Sequence, residues 1–542
     1  MQHKAGVSFQ RSVAGWGQGS AHSAEYRKLI GQDPLFIALI APILVYYCGL
    51  LALDLDKIPG LAGDEVYWAV QFDAMQAGRG FELQTFSGYF PPLWMLLTWG
   101  VHAVAGADPL ALRLLPASVA LVTTIVATAL FAGLAGWRMG LMFGLLLASS
   151  PHSMVYARLA WEPSLMPLAT VLLLYAALAR RFVWAALGLV PAIFVHPALI
   201  LSAPVIYALW LLDLFGRRCL TWSRLLLIGS SALPMMLAMA FQIVSSHFAR
   251  EMLADPVIAS DLGLRGYVVF VRSIVELFSG ISAFTNVGGT VPSAAIIAQD
   301  GVTVLVMAVA AVGLMLRPKR ERYVACAVAA GLGITLCTLW TMGGPTAFYR
   351  INERYGIPLL VPGLWLIVCG IDALGRRRPW VRLAVPVIAF LSLISFHSTF
   401  IERFRDTGGE GRVPFLGYPA QPKAEAAAWL EARAVEQGTP VAVTADTYHL
   451  QMGTTYFADP ELVEMRVDAL RYYQPWEPDA LRNLLPDGGY VVTNARLTAQ
   501  AFAIPFLYAE ELEAVPWAER VHTLRHPSGA EQLRIYRIER MP

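Results

Sequence analysis

The stretch LDKIPGLAGDEVYWAV, residues 55–70, sets an aspartate and a glutamate, Asp64 and Glu65, just beyond the first long apolar run, Ile37 to Leu53. Ionised side chains are costly in lipid, so carboxylates at the mouth of a span mark a site. The composition says that there is a membrane to cross. Hydrophobic residues make up 56% of the 542, charged residues only 15%, and mean hydropathy is +0.53. Soluble domains carry roughly a quarter charged residues, so an integral membrane protein is expected. The net charge is +2, and the basic residues fall in short clusters instead of one wide patch. Nucleic-acid binding is thereby unsupported.

Runs long enough to cross a bilayer, about 20 residues each, lie near 34–53, 112–134, 139–157, 165–181, 224–245, 296–316, 322–342, 355–374 and 381–399. A further block, 183–214, is too long for one span and is broken around His196-Pro197 and Pro204. Read as two short spans, it brings the expectation to about eleven crossings. The basic turns at Trp137-Arg138, Arg180-Arg181, Arg217-Arg218, Arg317 to Arg322 and Arg376 to Arg382 then share one side of the membrane. By the positive-inside rule that side is the cytoplasm.

Residues 1–33 are polar and lead into an uncleaved anchor, which puts the N-terminus in the cytoplasm. A membrane domain, 34–400, follows, with a long first loop at 54–110 on the outer face. From 401 to 542 the chain turns charged and Gly/Pro-punctuated, enough for a small extracytoplasmic domain. In it AEAAAWLEARAVEQG reads as a helix closed by Gly438, and PVAVTAD, GGYVVTN and LRIYRIE read as strands, so the domain is α/β. The fold class is thus a polytopic α-helical membrane protein with a C-terminal α/β domain. The five cysteines, Cys48, Cys219, Cys326, Cys337 and Cys369, suggest neither a disulfide framework nor a metal spacing.

GDEVYWAVQFDAMQAG predicts a helix lying on the membrane surface, its apolar face made by Trp68, Phe72 and Met75. Asp64 sits at its start, where it acts either as a general base at the lipid–water boundary or as a cap, with Glu65 favouring the dipole. FSGYFPPLWMLLTWGVHAVAGADPLALRLLPASVA (86–120) adds a Pro91-Pro92 turn and a second, aromatic-rich surface helix.

These pieces in this order resemble the GT-C superfamily of membrane glycosyltransferases. The acidic pair, the PPL turn and RLLPA opening the next span are most similar to the branch that holds protein O-mannosyltransferases and the lipid A aminoarabinose transferase. YARLAWEPSLM (156–166) resembles that branch's second outer loop, with Glu162 where an Asp is usual. NERYGIPLLVPGLW (352–365) is similar to its R-Y-x-x-P start of a late span, and VTADTYHLQMGTTYF (443–457) to the opening of its soluble domain. Phe90 stands where the lipid A branch usually has a Lys.

The resemblance implies transfer of a sugar from a polyprenyl-phosphate donor, with inversion, to a hydroxyl on lipid, glycan or protein at the outer face of the plasma (inner) membrane. Such a donor carries its own leaving group, so the reaction needs a base for the acceptor proton and cations for the departing phosphate. Asp64 is the candidate base, with Glu65 and Glu162 orienting the acceptor or supporting the base. Asp64 and Glu162 are also oxygen ligands for Mg²⁺ or Mn²⁺, should a metal be used. Arg354, then Arg350, Arg158 and Arg272, are the candidates for the donor phosphate, because a guanidinium fork suits phosphate oxygens; the alternative is that they meet lipid headgroups. Tyr89, His196 and Tyr355 are candidate substrate contacts, and His196 alternatively stabilises the broken span. His247 and Glu251, at i and i+4, and Asp446, Tyr448 and His449 are weaker candidates for metal and acceptor binding. The rival function is a flippase or exporter of lipid-linked sugars, which calls for ionisable residues near mid-membrane.

Overall fold

Each of those apolar runs is helical in the computed structural model. It describes residues 34–540 apart from 79–88, 107, 218–220, 246–262, 281–292, 344–352, 407–419, 447, 467–481, 496–511, 526–528 and 530. The membrane part comprises α1 (Pro34–Ala52), α2 (Gly63–Gln76), α3 (Pro92–Ala105), α4 (Pro109–Ala135), α5 (Trp137–Ser149), α6 (Met166–Leu178) and α7 (Phe182–Val195). It continues with α8 (Ala203–Gly216), α9 (Trp222–Ser245), α10 (Gly263–Ser279), α11 (Ser293–Met315), α12 (Lys319–Gly343), α13 (Ile357–Gly375) and α14 (Ala384–Phe396). Seven helices among the described residues are long and apolar enough to cross a membrane by length and composition, and the remaining apolar helices are shorter. The protein is an integral membrane protein of polytopic helical fold.

The long apolar block divides where its sequence says. His196 leaves helical geometry (φ −161°, ψ 133°), and Pro197–Ser202 form a 3₁₀ turn. At Pro204, by contrast, the chain does not break: it passes straight from the 3₁₀ turn into α8. Small residues let helices approach. A Cβ on Gly313 of α11 would fall 2.1 Å from the Gly370 carbonyl oxygen of α13, so these two backbones touch directly.

The basic turns meet at one end of the bundle. Asp213 pairs with Arg180 (3.2 Å) and Arg217 (3.0 Å). Asp372 takes Arg317 (3.2 Å), Arg376 (3.1 Å) and Arg382 (3.2 Å), while Arg317 Nε also donates to the Cys369 carbonyl.

The opposite end carries the first loop and the C-terminal domain. That domain contains α15 (Ala420–Gln437), α16 (Tyr448–Phe457) and strands β1 (Val441–Ala445), β2 (Val463–Met465), β3 (Gly489–Asn494), β4 (Ala518–Arg525) and β5 (Glu531–Ile538). The sheet order is β2-β1-β3-β5-β4, with β1 parallel to β2 and β3, and β5 antiparallel to β3 and β4. Gly438, at φ +67°, ends α15 in the left-handed conformation that suits glycine.

One expectation is corrected here. α2 does not rest on the bilayer with a single apolar face: Val66, Tyr67, Trp68, Ala69 and Phe72 are all buried, and Met75 is exposed. Its partners are α3 on one side and α16 of the C-terminal domain on the other, with His102 Nε2 of α3 lying 3.1 Å from Asp73 Oδ1. Met452 and Tyr456 of α16 belong to the same buried cluster as Trp68 and Phe72. A helix covered on both flanks needs apolar residues round most of its circumference. α3 does present an apolar outer surface, with Leu93, Leu96 and Trp99 exposed, as a helix facing lipid would.

Candidate active site

The end of α1 and the loop to α2, residues 50–61, turn sharply; the Asp54 carbonyl takes the Lys57 (3.1 Å) and Ile58 (2.9 Å) N–H groups, and buried side chains reach the carbonyls of this segment as well. Buried carbonyls need donors, and three buried cations supply them. Arg158 donates to the carbonyls of Leu50 (2.6 Å), Leu53 (2.6 Å), Asp54 (3.1 Å) and Ile58 (3.0 Å). Arg113, from α4, donates to Leu55 (3.1 Å), Pro59 (2.7 Å) and Gly60 (3.0 Å). Lys423, from α15, donates to Leu61.

Arg113 spends its remaining donors on Glu65, Nε to Oε1 at 2.9 Å and Nη2 to Oε2 at 2.8 Å. Glu65 accepts two further bonds, from the Ala160 N–H (3.0 Å) and the Ala62 N–H (2.8 Å). A carboxylate has about four lone-pair sites, and here each is taken. Both side chains are only 1% exposed. The Ala62 bond is one half of a capping box; Ala62 itself is the residue preceding α2, and Asp64 is the second helical residue. Capping therefore falls to Glu65, not to Asp64, and Glu65 is not available to orient an acceptor. Asp64 is half-buried at the start of the same helix, where the dipole favours a carboxylate.

The Glu65–Ala160 bond draws the second outer loop against the start of α2, so Asp64 and Glu162 each lie within two residues of that link. Glu162 is buried and accepts the Tyr89 hydroxyl. The Tyr89 ring meets His196 edge-on at 5.3 Å, and His196 meets Tyr355 at 6.1 Å. Four distant segments are thus gathered: the PPL turn, the second loop, the broken span and the start of α13. His196 Nδ1 accepts the Ala198 N–H (3.1 Å), capping the 3₁₀ turn. The ring both stabilises the break and stands among the aromatic side chains. Gln242 of α9 holds Phe90 by two bonds to its backbone, each 3.0 Å, and so fixes the residue next to Tyr89.

The candidate phosphate ligands are not placed together. Arg158 is 0% exposed, and its bonds to four carbonyls leave it no face for a phosphate; it braces the first loop instead. Arg272 is exposed on α10 and pairs with Glu276 at 2.7 Å. Arg354 belongs to the 3₁₀ turn Glu353–Gly356 that leads into α13, but its side chain, like all of Arg350, lies outside the described residues. His247 and Glu251 and the side chains of Tyr448 and His449 lie outside them too. Asp446 accepts the Asn494 N–H (2.6 Å) and side-chain amide (2.8 Å), bracing the ends of β1 and β3. No group of three or more His, Cys, Asp or Glu is gathered as for a metal among the described residues. Glu65, spent on Arg113, adds no ligand to the pair Asp64 and Glu162.

Sequence reasoning missed Arg113, Lys423 and Gln242. The first was legible in principle, as an arginine opening an apolar span in RLLPA, since an ionisable group there demands a partner. Lys423 lies in an ordinary amphipathic helix, and nothing local distinguishes it from a solvated lysine.

No family model and no protein of curated function matches the chain. Its structure is similar to that of ArnT from Cupriavidus metallidurans bound to undecaprenyl phosphate, at a TM-score of 0.50 and 14% identity over 93% of this chain and 98% of that one. The Archaeoglobus fulgidus oligosaccharyltransferase in complex with Zn and sulfate matches at a TM-score of 0.45 and 12% identity, over 91% of this chain and 72% of that one. At 14% identity the first likeness speaks for the fold alone: the helical membrane domain and small C-terminal sheet domain share the layout of that protein.

Proposed function

We propose that the protein is a membrane glycosyltransferase that moves a sugar from a polyprenyl-phosphate carrier to a hydroxyl acceptor, with Asp64 as the general base. The observation that carries this reading is the division of labour in the acidic pair. Glu65 is saturated by four hydrogen bonds, while its neighbour Asp64 is half-buried at the helix start. A base must reach its proton, so it cannot be the carboxylate whose lone pairs are all taken. The likeness of fold to a protein solved with undecaprenyl phosphate supports the donor class.

The acceptor hydroxyl approaches the anomeric carbon from the side of Asp64, which takes its proton as the C–O bond forms. The bond between the sugar and the phosphate breaks, and the phosphate leaves with the electron pair on the carrier. Inversion follows from a single displacement. Glu162, Tyr89, His196 and Tyr355 form the sugar side in this reading: Tyr89 donates to the Glu162 carboxylate, and the rings of His196 and Tyr355 follow on from Tyr89. Arg354 and Arg350 are the proposed grip on the phosphate, and in this reading the site faces the extracytoplasmic side.

The test is release of polyprenyl phosphate by the purified protein, given a panel of polyprenyl-phosphate sugars and a membrane extract as acceptor. Asp64→Asn should lower kcat at least about 10²-fold, the upper reach of a lost general base being about 10⁴, while leaving the melting temperature unchanged. Equal release by the variant would remove Asp64 from the mechanism.

A further inference from the structure

The C-terminal domain meets the membrane domain through a charge that it would be cheaper not to bury. Lys423 is 0% exposed. Its ammonium reaches across the domain boundary to the Leu61 carbonyl, one residue before the cap of α2 and three before Asp64. The stem runs over Gly453 of α16, where an added Cβ would fall 2.5 Å from Lys423 Cδ. The glycine thus leaves the channel through which the lysine passes. α16 joins two cores, with Leu450 packed in that of the domain and Met452 and Tyr456 in that of the membrane part.

Burying an ammonium costs several kcal/mol unless partners repay it. Desolvation pulls the Lys423 pKa down to about 7; Glu65 opposes that, and Arg113 adds to it. An apolar residue of the same length would fill the channel at less cost. What an apolar residue lacks is a donor for the Leu61 carbonyl. The orientation of that peptide feeds directly into Ala62, whose extended backbone (φ −84°, ψ 151°) sets the direction in which α2 leaves the loop.

We propose that Lys423 is a positioning residue through which the C-terminal domain holds the Asp64 loop in its working geometry, making that domain part of the active site. The proposal rests on the reading of Asp64 as the base. A base displaced by about 1 Å loses rate by about 10²-fold, whereas donor binding, proposed to lie with other residues, is left alone.

The test uses the full chain in detergent. Lys423→Met should lower kcat about tenfold or more, with the KM for the polyprenyl-phosphate sugar within about twofold and the melting temperature equal or raised. Lys423→Gln, which keeps a donor, should retain more activity than Lys423→Met. Gly453→Ala, which crowds the stem, should lose kcat in the same way. Amide hydrogen exchange over residues 58–66 should quicken in Lys423→Met, a readout that needs no turnover. Wild-type kcat and unchanged exchange in Lys423→Met, beside an inactive Asp64→Asn, would overturn this inference alone. A fall in kcat that merely follows a fall in melting temperature would also overturn it, reducing Lys423 to a structural role. An active Asp64→Asn would instead sink the reading of the base, and exchange would still report on the clamp.

Discussion

The two ends of the bundle both bury arginines, and they neutralise them differently. At the end with the basic turns, Arg317, Arg376 and Arg382 converge on the carboxylate of Asp372, and Arg180 and Arg217 on Asp213. At the end with the first loop, Arg113, Arg158 and Lys423 face eight backbone carbonyls and one carboxylate, Glu65. Side-chain ion pairs tie helix ends together and tolerate repacking. Carbonyls have fixed directions, so cations spent on them specify the shape of a loop. The loop fixed in this way leads into α2, with Asp64 its second residue.

Arg113→Met tests the contrast most severely. It strands Glu65, 1% exposed, without its cation, a change that costs about 3–5 kcal/mol in buried pairs. Chemical or thermal unfolding should register it, and activity should fall with it. The pH dependence of stability comes next. The unfolded Lys423 amine holds its proton to about pH 10.4, while in the folded protein it releases it near pH 7. Between those values the unfolded state binds more protons, so stability rises with pH; below about 7 both states are charged and this slope vanishes. Melting curves of wild type against Lys423→Met from pH 7 to 9 should therefore draw together by about 1.4 kcal/mol per pH unit. A constant difference would mean that the ammonium is not desolvated. The smallest effect belongs to the other end. Arg317→Met leaves Asp372 with Arg376 and Arg382, so the loss should be about 1.5 kcal/mol, the low end for bonds to a charged group, with kcat unaltered. A large fall in kcat there would erase the distinction between the two ends.

Much of the fold was legible from local pattern. Apolar runs, the break at His196-Pro197, Gly438 as a helix stop and three of the five strands of the C-terminal domain, β1, β3 and β5, follow from length, backbone chemistry and periodicity, which act over a few residues; β2 and β4 were not read from the sequence. The site was half legible. Tyr89, Glu162, His196 and Tyr355 could be named, and the structure brings them together. Glu65 and Arg158 were read as chemistry, and they brace the backbone instead. Their side chains are of the same types as those expected in a site, and a sequence does not say whether a lone pair or an N–H is already taken.

The sequence by itself determined that this is a membrane chain, that its long apolar block breaks at His196-Pro197, and that an acidic pair stands at the mouth of the first apolar helix. Only the tertiary structure decided that Glu65 is saturated by hydrogen bonds. That depends on Arg113, 48 residues from Glu65, and on the Ala160 N–H, 95 residues from it. Hydrogen bonds saturate within about 3 Å, and it is the fold, not chain proximity, that brings their partners within that reach.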